Sequence, residues 1–334
     1  MRGLIAIAIV VAAASHARAD EPRVMRIATA APEGSGWARD FAAWARAIEL
    51  RTNGAVKVKM YFSGKAGSEL EVKDRIDKGQ LDGSISGGMM CARVMPSMNV
   101  LRVTGVFQNR AETQYVVNQL RPRLAKEANA RGYALLGAAA VGASTVFSRT
   151  PVTNMKELRA LKLWRWDLDE VAITLNRTMG LDVVPLNLEQ AGRAYDNGKV
   201  DGFYAIPAGA LAFQWYAQTK YVIDLPSDYL IGCILVKSSS FDQLTDRERE
   251  VFVSETAKVE LRINDIAERQ DRELITGGVF GRQGNKLVRV SAKFRAEFFE
   301  AARQAREKLD TKLVPRELIN EVLGMLADYR GEHH

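Results

Sequence analysis

The chain has 334 residues, of which 47% are hydrophobic and 26% charged, and a net charge of +7. These are globular proportions, and the basic runs at Arg121 to Arg131 and Arg262 to Arg272 are interleaved with acidic residues, so they read as solvated helix faces and exclude nucleic acid as a partner. Histidine is confined to His16, His333 and His334, which removes Ser-His-Asp and Cys-His nucleophile systems and most zinc sites; neither a cofactor nor a metal is expected.

The first residues read as a targeting device. Arg2 precedes an apolar run from Leu4 to Ala14, and Ala17-Arg18-Ala19 is a small-x-small cleavage site. Residues 1–19 are therefore expected to be a signal peptide cleaved near Ala19, which places the mature protein in the periplasm. That run is too short to span a bilayer, and no later stretch reaches the roughly eighteen apolar residues a spanning helix needs. Loss of Arg2 and Arg18 brings the net charge to +5. About 315 residues remain, long for one hydrophobic core, which predicts two domains.

Val24 to Ala30 reads as a strand running into the loop Pro32-Glu33-Gly34-Ser35-Gly36. Trp37, Phe41, Trp44 and Ile48 then mark one face of a helix that ends at Asn53-Gly54. Ala55 to Phe62 is a second strand. The turn Gly64-Lys65-Ala66-Gly67-Ser68-Glu69 leads into a short helix through Asp77 and lacks the spacing of a phosphate-binding loop. Gln80 to Gly88 is a third strand ending at a glycine pair, and β, α, β, α, β predicts a largely parallel sheet. A helix over Glu112 to Ala130, with Pro122 as the place for a kink, precedes the strand Tyr133 to Val141. Ser144 to Ser148 continues extended, as a chain passing from one domain to another would. The alternation then resumes: strand Leu163 to Trp166, helix Glu170 to Met179, strand Asp182 to Pro185, helix Leu188 to Asn197 and strand Val200 to Tyr204. Lys220 to Leu225 and Leu230 to Lys237 read as two more strands, the second returning to the first domain. Helices follow over Asp246 to Arg272, Ser291 to Leu309 and Arg316 to Tyr329.

Function concentrates at two strand ends. Leu161-Lys162-Leu163-Trp164-Arg165-Trp166 and Asp201-Gly202-Phe203-Tyr204-Ala205-Ile206 open into loops, and ligands bind at the carboxyl ends of strands in open α/β sheets. Trp164, Trp166, Phe203, Tyr204, Phe213 and Trp215 put large aromatic rings where aliphatics would suffice. Cys91 and Cys233 lie in apolar surroundings and are expected to be buried free thiols, although export would permit a pair. An exported hydrolase would have to rely on carboxylates such as Glu33, Glu69, Asp167 or Asp169, and Asp167 and Asp169 sit where helix N-capping explains them. An adaptor for another protein would instead require an exposed apolar patch.

The order of motifs resembles the solute-binding proteins of tripartite ATP-independent periplasmic (TRAP) transporters, the dicarboxylate-type subunit family. The resemblance is carried by Ile27 to Trp37, the turn Ser63 to Leu70, Gly79-Gln80-Leu81-Asp82-Gly83, Pro151 to Lys162, Gly180 to Leu186 and Gly198-Lys199-Val200-Asp201-Gly202. It implies an α/β fold of two lobes, each with a mainly parallel sheet flanked by helices, joined by hinge strands and followed by C-terminal helices. The implied partition is residues 20–143 and 230–275 in the first lobe and 144–229 and 276–334 in the second. It also implies no catalysis: a small organic solute is held in the cleft and delivered to a membrane permease.

Members of that family hold an organic acid with an arginine on the strand after Gly-Leu-Lys, because a guanidinium matches a carboxylate bidentately. Here that position is Trp164, with Arg165 one place later and so on the opposite face of a strand. A second family arginine aligns near Ser144, and the asparagine after Val-Asp-Gly falls at Ala205 or Ile206. The expected ligand-binding set is therefore Trp37, Glu69, Met89, Ser144, Trp164, Trp166, Phe203, Tyr204, Ile206, Phe213 and Trp215, around an apolar or amphipathic solute. The alternative is an ordinary small organic acid gripped by Arg165 or Arg177.

Overall fold

The structure is a computed structural model describing residues 21–276 and 278–333; the expected signal peptide lies outside the described residues. Strand β1 (Arg23–Thr29) pairs in parallel with β2 (Val56–Tyr61) and β3 (Gly83–Ser86). Helices Gly36–Arg51 and Glu69–Asp77 make the returns that parallel pairing requires. Ser35 caps the first by accepting from the Ala38 amide, and a Ser68/Glu71 capping box starts the second. Strand β4 (Tyr133–Ser148) follows, then β5 (Lys162–Trp166), β6 (Asp182–Leu186) and β7 (Gly202–Ala205), with β5 parallel to both β6 and β7. Strand β8 (Tyr221–Lys237) and a short β9 (Lys286–Arg289) complete the described sheet.

The strand order is β2-β1-β3-β8-β4-β7-β5-β6, with β9 beside β8. Two parallel units therefore flank an antiparallel pair that runs through both. The Leu230–Lys237 part of β8 pairs with β3 and the start of β4, while its Tyr221–Ile223 part pairs with the end of β4, which also carries β7. The expected pair of strands at 220–225 and 230–237 is thus one strand. Pro226-Ser227-Asp228 looks like a turn in sequence, yet the ladder absorbs it through register shifts, including one between Ser144 and Val146.

The two Asp-Gly motifs do the same structural work in each unit. The Asp82 carboxylate accepts from the Arg26 amide at 2.8 Å, and that of Asp201 from the Lys162 amide at 2.9 Å, fastening β3 to β1 and β7 to β5. The glycines stand where a new strand meets the crossing pair. A Cβ at Gly83 would lie 2.5 Å from the Leu235 carbonyl oxygen, and one at Gly202 would lie 2.2 Å from that of Phe147.

Cys91 and Cys233 are bonded to each other, with Cα atoms 6.0 Å apart, which corrects the expectation of free thiols. Burial alone does not separate a thiol from a disulfide. The topology decides here, because Cys233 pairs with Ser86 at the end of β3 and helix Met89–Val94 folds back over that point. Helix Asp246–Ile275, begun by a Thr245/Glu248 capping box, packs on helix Gly36–Arg51, on β4 and on helix Pro207–Ala212, so it bridges both units. Helix Arg316–His333 returns to the first unit, where Arg330 pairs with Glu112 at 2.8 Å and Tyr329 packs 4.7 Å from Tyr115. Among the described residues no helix is long and apolar enough to cross a membrane.

Candidate functional site

The carboxyl ends of β1 and β3 face those of β5 and β7 across β4 and β8, and a cavity of about 170 Å³ lies between them. Thr29 to Ala31 and Ser86-Gly87 supply one side, and Trp164 to Trp166 with Tyr204 to Ile206 supply the other. Two tryptophans cross the gap in opposite directions. Trp37, in the first turn of its helix, reaches toward helix Pro207–Ala212, where a Cβ at Gly209 would lie 4.0 Å from its ring. Trp166 reaches back, so that a Cβ at Gly87 would lie 3.5 Å from its ring.

The second wall is aromatic. Trp164 packs edge-on against Trp215 at 4.9 Å, and Trp215 stacks on Phe203 at 5.1 Å and on Phe213 at 5.3 Å. Phe203 stacks in turn on Tyr195 at 5.0 Å. Trp164 Nε1 donates to the Leu186 carbonyl at 3.0 Å, so the indole's one polar atom is satisfied by its neighbour strand and its faces remain apolar.

Beside this wall lies a buried quartet of charges. Arg102 ends the turn Pro96–Arg102, and its guanidinium pairs with Asp169, approaches Asp228 at 3.4 Å and donates to the Tyr229 carbonyl at 2.5 Å. Arg165 pairs with Asp228 at 3.0 Å, donates to Asn176 Oδ1 at 2.8 Å and lies 3.8 Å from the centre of the Tyr204 ring. Ser144 and Ser227 hydroxyls donate to Asp228 at 3.0 and 2.8 Å. Burial acts to raise the Asp228 carboxyl, but Arg165 and Arg102 outweigh it and hold it down at about 2. Burial acts to lower Arg102, and Asp169 and Asp228 outweigh that, so its value is raised. Two guanidinium groups thus meet two carboxylates, and the quartet is neutral.

Residues 27–312 match the family model of bacterial extracellular solute-binding protein, family 7 (DctP). The chain belongs to this family. A solute-binding protein of Verminephrobacter eiseniae is 22% identical to this family 7 chain over 232 residues, which are 69% of the chain and 68% of the relative. Among solved structures, the sugar acid binding protein DctPAm of Advenella mimigardefordensis, in complex with galactonate, superposes with a TM-score of 0.85 at 18% identity, covering 92% of this chain and 99% of that one. A TRAP periplasmic solute binding protein of Desulfovibrio salexigens with bound orotic acid gives 0.82 at 17% identity over 91% and 99%. One from Haemophilus influenzae with bound L-gulonate gives 0.83 at 14% identity over 92% and 99%. These likenesses establish the two-lobed binding-protein fold.

In this family 7 cleft, Trp37, Ser144, Trp164, Trp166, Tyr204, Ile206, Phe213 and Trp215 line the cavity, and so does Arg165. Three expected residues stand behind the wall instead. Glu69 is buried under helix Met89–Val94, accepting from Ser86 Oγ at 2.7 Å and from the Gly87 and Met90 amides at 2.5 and 2.7 Å, so its oxygens serve the helix start. Burial pushes its carboxyl up, opposed by these donors. Met89 is buried in that same helix, and Phe203 is sandwiched between Tyr195 and Trp215. Arg177 is exposed in the last turn of helix Glu170–Thr178 and does not line the cavity. Asp169 does cap that helix through the Ala172 amide, as its position predicts, and its second oxygen holds Arg102. Sequence reasoning missed Arg102 and Asp228. Their signal was a lone charge inside an apolar run, Val100-Leu101-Arg102-Val103 and Tyr229-Leu230-Ile231 just after Asp228.

Proposed function

We propose that the protein captures a small, uncharged, largely apolar or amphipathic organic solute in the interlobe cleft and hands it to a TRAP permease in the membrane. Membership of an extracellular solute-binding family supports the carrier role, and the leader-like residues 1–19 fit export with cleavage near Ala19. No catalytic step is assigned to the site: Asp169 is committed to Arg102 and a helix cap, so it is not free to act as an acid or base.

The observation that carries the solute class is Asp228. Its carboxylate takes Arg165, Arg102 and the Ser144 hydroxyl, which are the donors a ligand carboxylate would need. The protein supplies its own anion to these two guanidinium groups. A second, unmatched carboxylate placed here would cost several kcal/mol. Apolar surface laid on Trp164, Trp215 and Phe213 is favourable at about 25 cal/mol per Å².

The test is to purify the mature protein under native conditions, release what it carries and identify it by mass spectrometry. A neutral molecule rich in carbon and hydrogen is expected. A stoichiometric carboxylic acid or phosphate ester would overturn the solute class, and turnover of the released molecule would overturn the carrier role.

A further inference from the structure

We propose that the cleft continues along β4, beneath helix Asp246–Ile275, as a narrow slot that takes an extended apolar chain, so the solute is elongated instead of compact. This rests on the reading of the cleft as a site for an uncharged apolar solute. The cavity that touches Trp164 and Trp215 at one end touches Gly137, Ala139, Glu260 and Ile263 at the other. Gly137 and Ser144 are seven positions apart on β4, and at about 3.3 Å per residue the lined length approaches 20 Å even with the bulges. A cavity of similar volume in one rounded piece holds a single benzene ring. Drawn out over this length, the about 170 Å³ found here admits a chain and excludes stacked rings.

The residue choice along the slot is consistent with that shape. A strand buried on both faces ordinarily carries Val, Ile or Leu, whereas β4 lines the slot with Gly137, Ala138 and Ala139. Small side chains keep the floor low. Phe41 and Ile85 form one side, with Ile234 beside them. The far end is closed where a Cβ at Gly137 would already lie 3.1 Å from Thr256 Cγ2 and 3.2 Å from Glu260 Oε2, and Glu260 is ion-paired to Arg121. Among the described residues, Glu260 is the charged side chain that lines the stretch from Gly137 to Val141, so methylene groups fit it and polar groups would go unmatched.

The experiment is calorimetric titration of the mature, disulfide-intact protein, cleared of its native contents, with straight-chain primary alcohols from butanol to decanol. Affinity is expected to rise by about fourfold per added methylene, the value of one buried CH₂ group. Ile263→Phe, and independently Ala139→Leu, is expected to weaken decanol at least ~tenfold more than butanol, since each adds bulk only in the slot. Binding that does not grow with chain length, or variants that weaken every alcohol equally, would overturn the slot while leaving the apolar cleft intact. If no alcohol binds, butanol included, the apolar cleft itself fails and the slot with it.

Discussion

Asp228 is the side chain on which the proposed solute class turns. It sits in the bend of β8, fully enclosed, with Arg165, Arg102, Ser144 and Ser227 around its two oxygens. Its carboxyl is held at about 2, below the ordinary 3.8. The stability it contributes is therefore full above about pH 4 and is lost as pH falls through about 2. Asp228→Asn removes the charge and leaves two guanidinium groups facing one carboxylate. It is expected to destabilise by roughly 3–5 kcal/mol in urea unfolding, and to bind a simple carboxylate such as benzoate more tightly than the parent protein does. Trp164→Arg restores the charge that the family resemblance implies at that position. It should weaken the native solute by about tenfold or more in a fluorescence titration, since it removes an apolar wall and buries an unmatched cation. Unchanged affinity would place Trp164 outside the binding surface.

At the scale of elements, the parallel units were legible because each strand and helix in them is a local pattern: alternation, a cap, a glycine stop. The Asp-Gly motifs could be found but not interpreted, since their role is to fasten β3 to β1 and β7 to β5, partners far away in sequence. β8 reads as two strands in sequence because Pro226 looks like punctuation, whereas the chain stays extended through it, with β4 paired on both sides of the bend. The charge quartet draws on three separate stretches, Arg102, Arg165 with Asp169, and Asp228, so no window of sequence contains it. The disulfide was hidden for the same reason, its cysteines being 142 residues apart. Cys91→Ala with Cys233→Ala is expected to lower stability by about 2–4 kcal/mol, and reductant should lower the parent's urea midpoint but not the variant's.

A further element-level effect lies where the long helix meets the bend of β4. Asp271 Oδ2 accepts from the Ala143 amide at 3.3 Å, beside Gly142, with Tyr229 and Arg110 as its charged or titratable neighbours. Burial pushes its carboxyl up to about 6, opposed by the Ala143 amide and Arg110. A raised carboxyl favours the folded state when protonated, so this contribution is present below about pH 4 and is lost as pH rises through about 6. Asp271→Asn should remove that loss, raising stability at pH 7.5 by roughly 2–3 kcal/mol and flattening the profile between about pH 4 and 6. A parallel shift at every pH would show that ionisation of Asp271 is not the cause.

Across the whole molecule, we propose that the lobes divide where β4 and β8 pass between the two parallel units, near residues 141–145 and 224–230. Helix Asp246–Ile275 then bridges the halves, and helix Arg316–His333 belongs with the first. In that proposal the tryptophans that cross the gap act as interlocking bolts, Trp37 toward Gly209 and Trp166 toward Gly87. Trp166→Ala is expected to raise the solute's dissociation rate by about tenfold with little change in its association rate, because most affinity differences within one site are in the off-rate. Stopped-flow fluorescence separates the two constants.

Strands β4 and β8 both run on from one half into the other, and their ladder resumes on the far side of the bend, where Asp224 to Ser227 have no β4 partner. If the lobes divide at this bend, opening flexes two strands in concert, like a leaf spring, which permits travel along one arc and resists swivelling. A permease that meets the shut form is offered the same relative placement of both halves every time, so a rigid, shape-matched receiving surface suffices to tell a loaded carrier from an empty one.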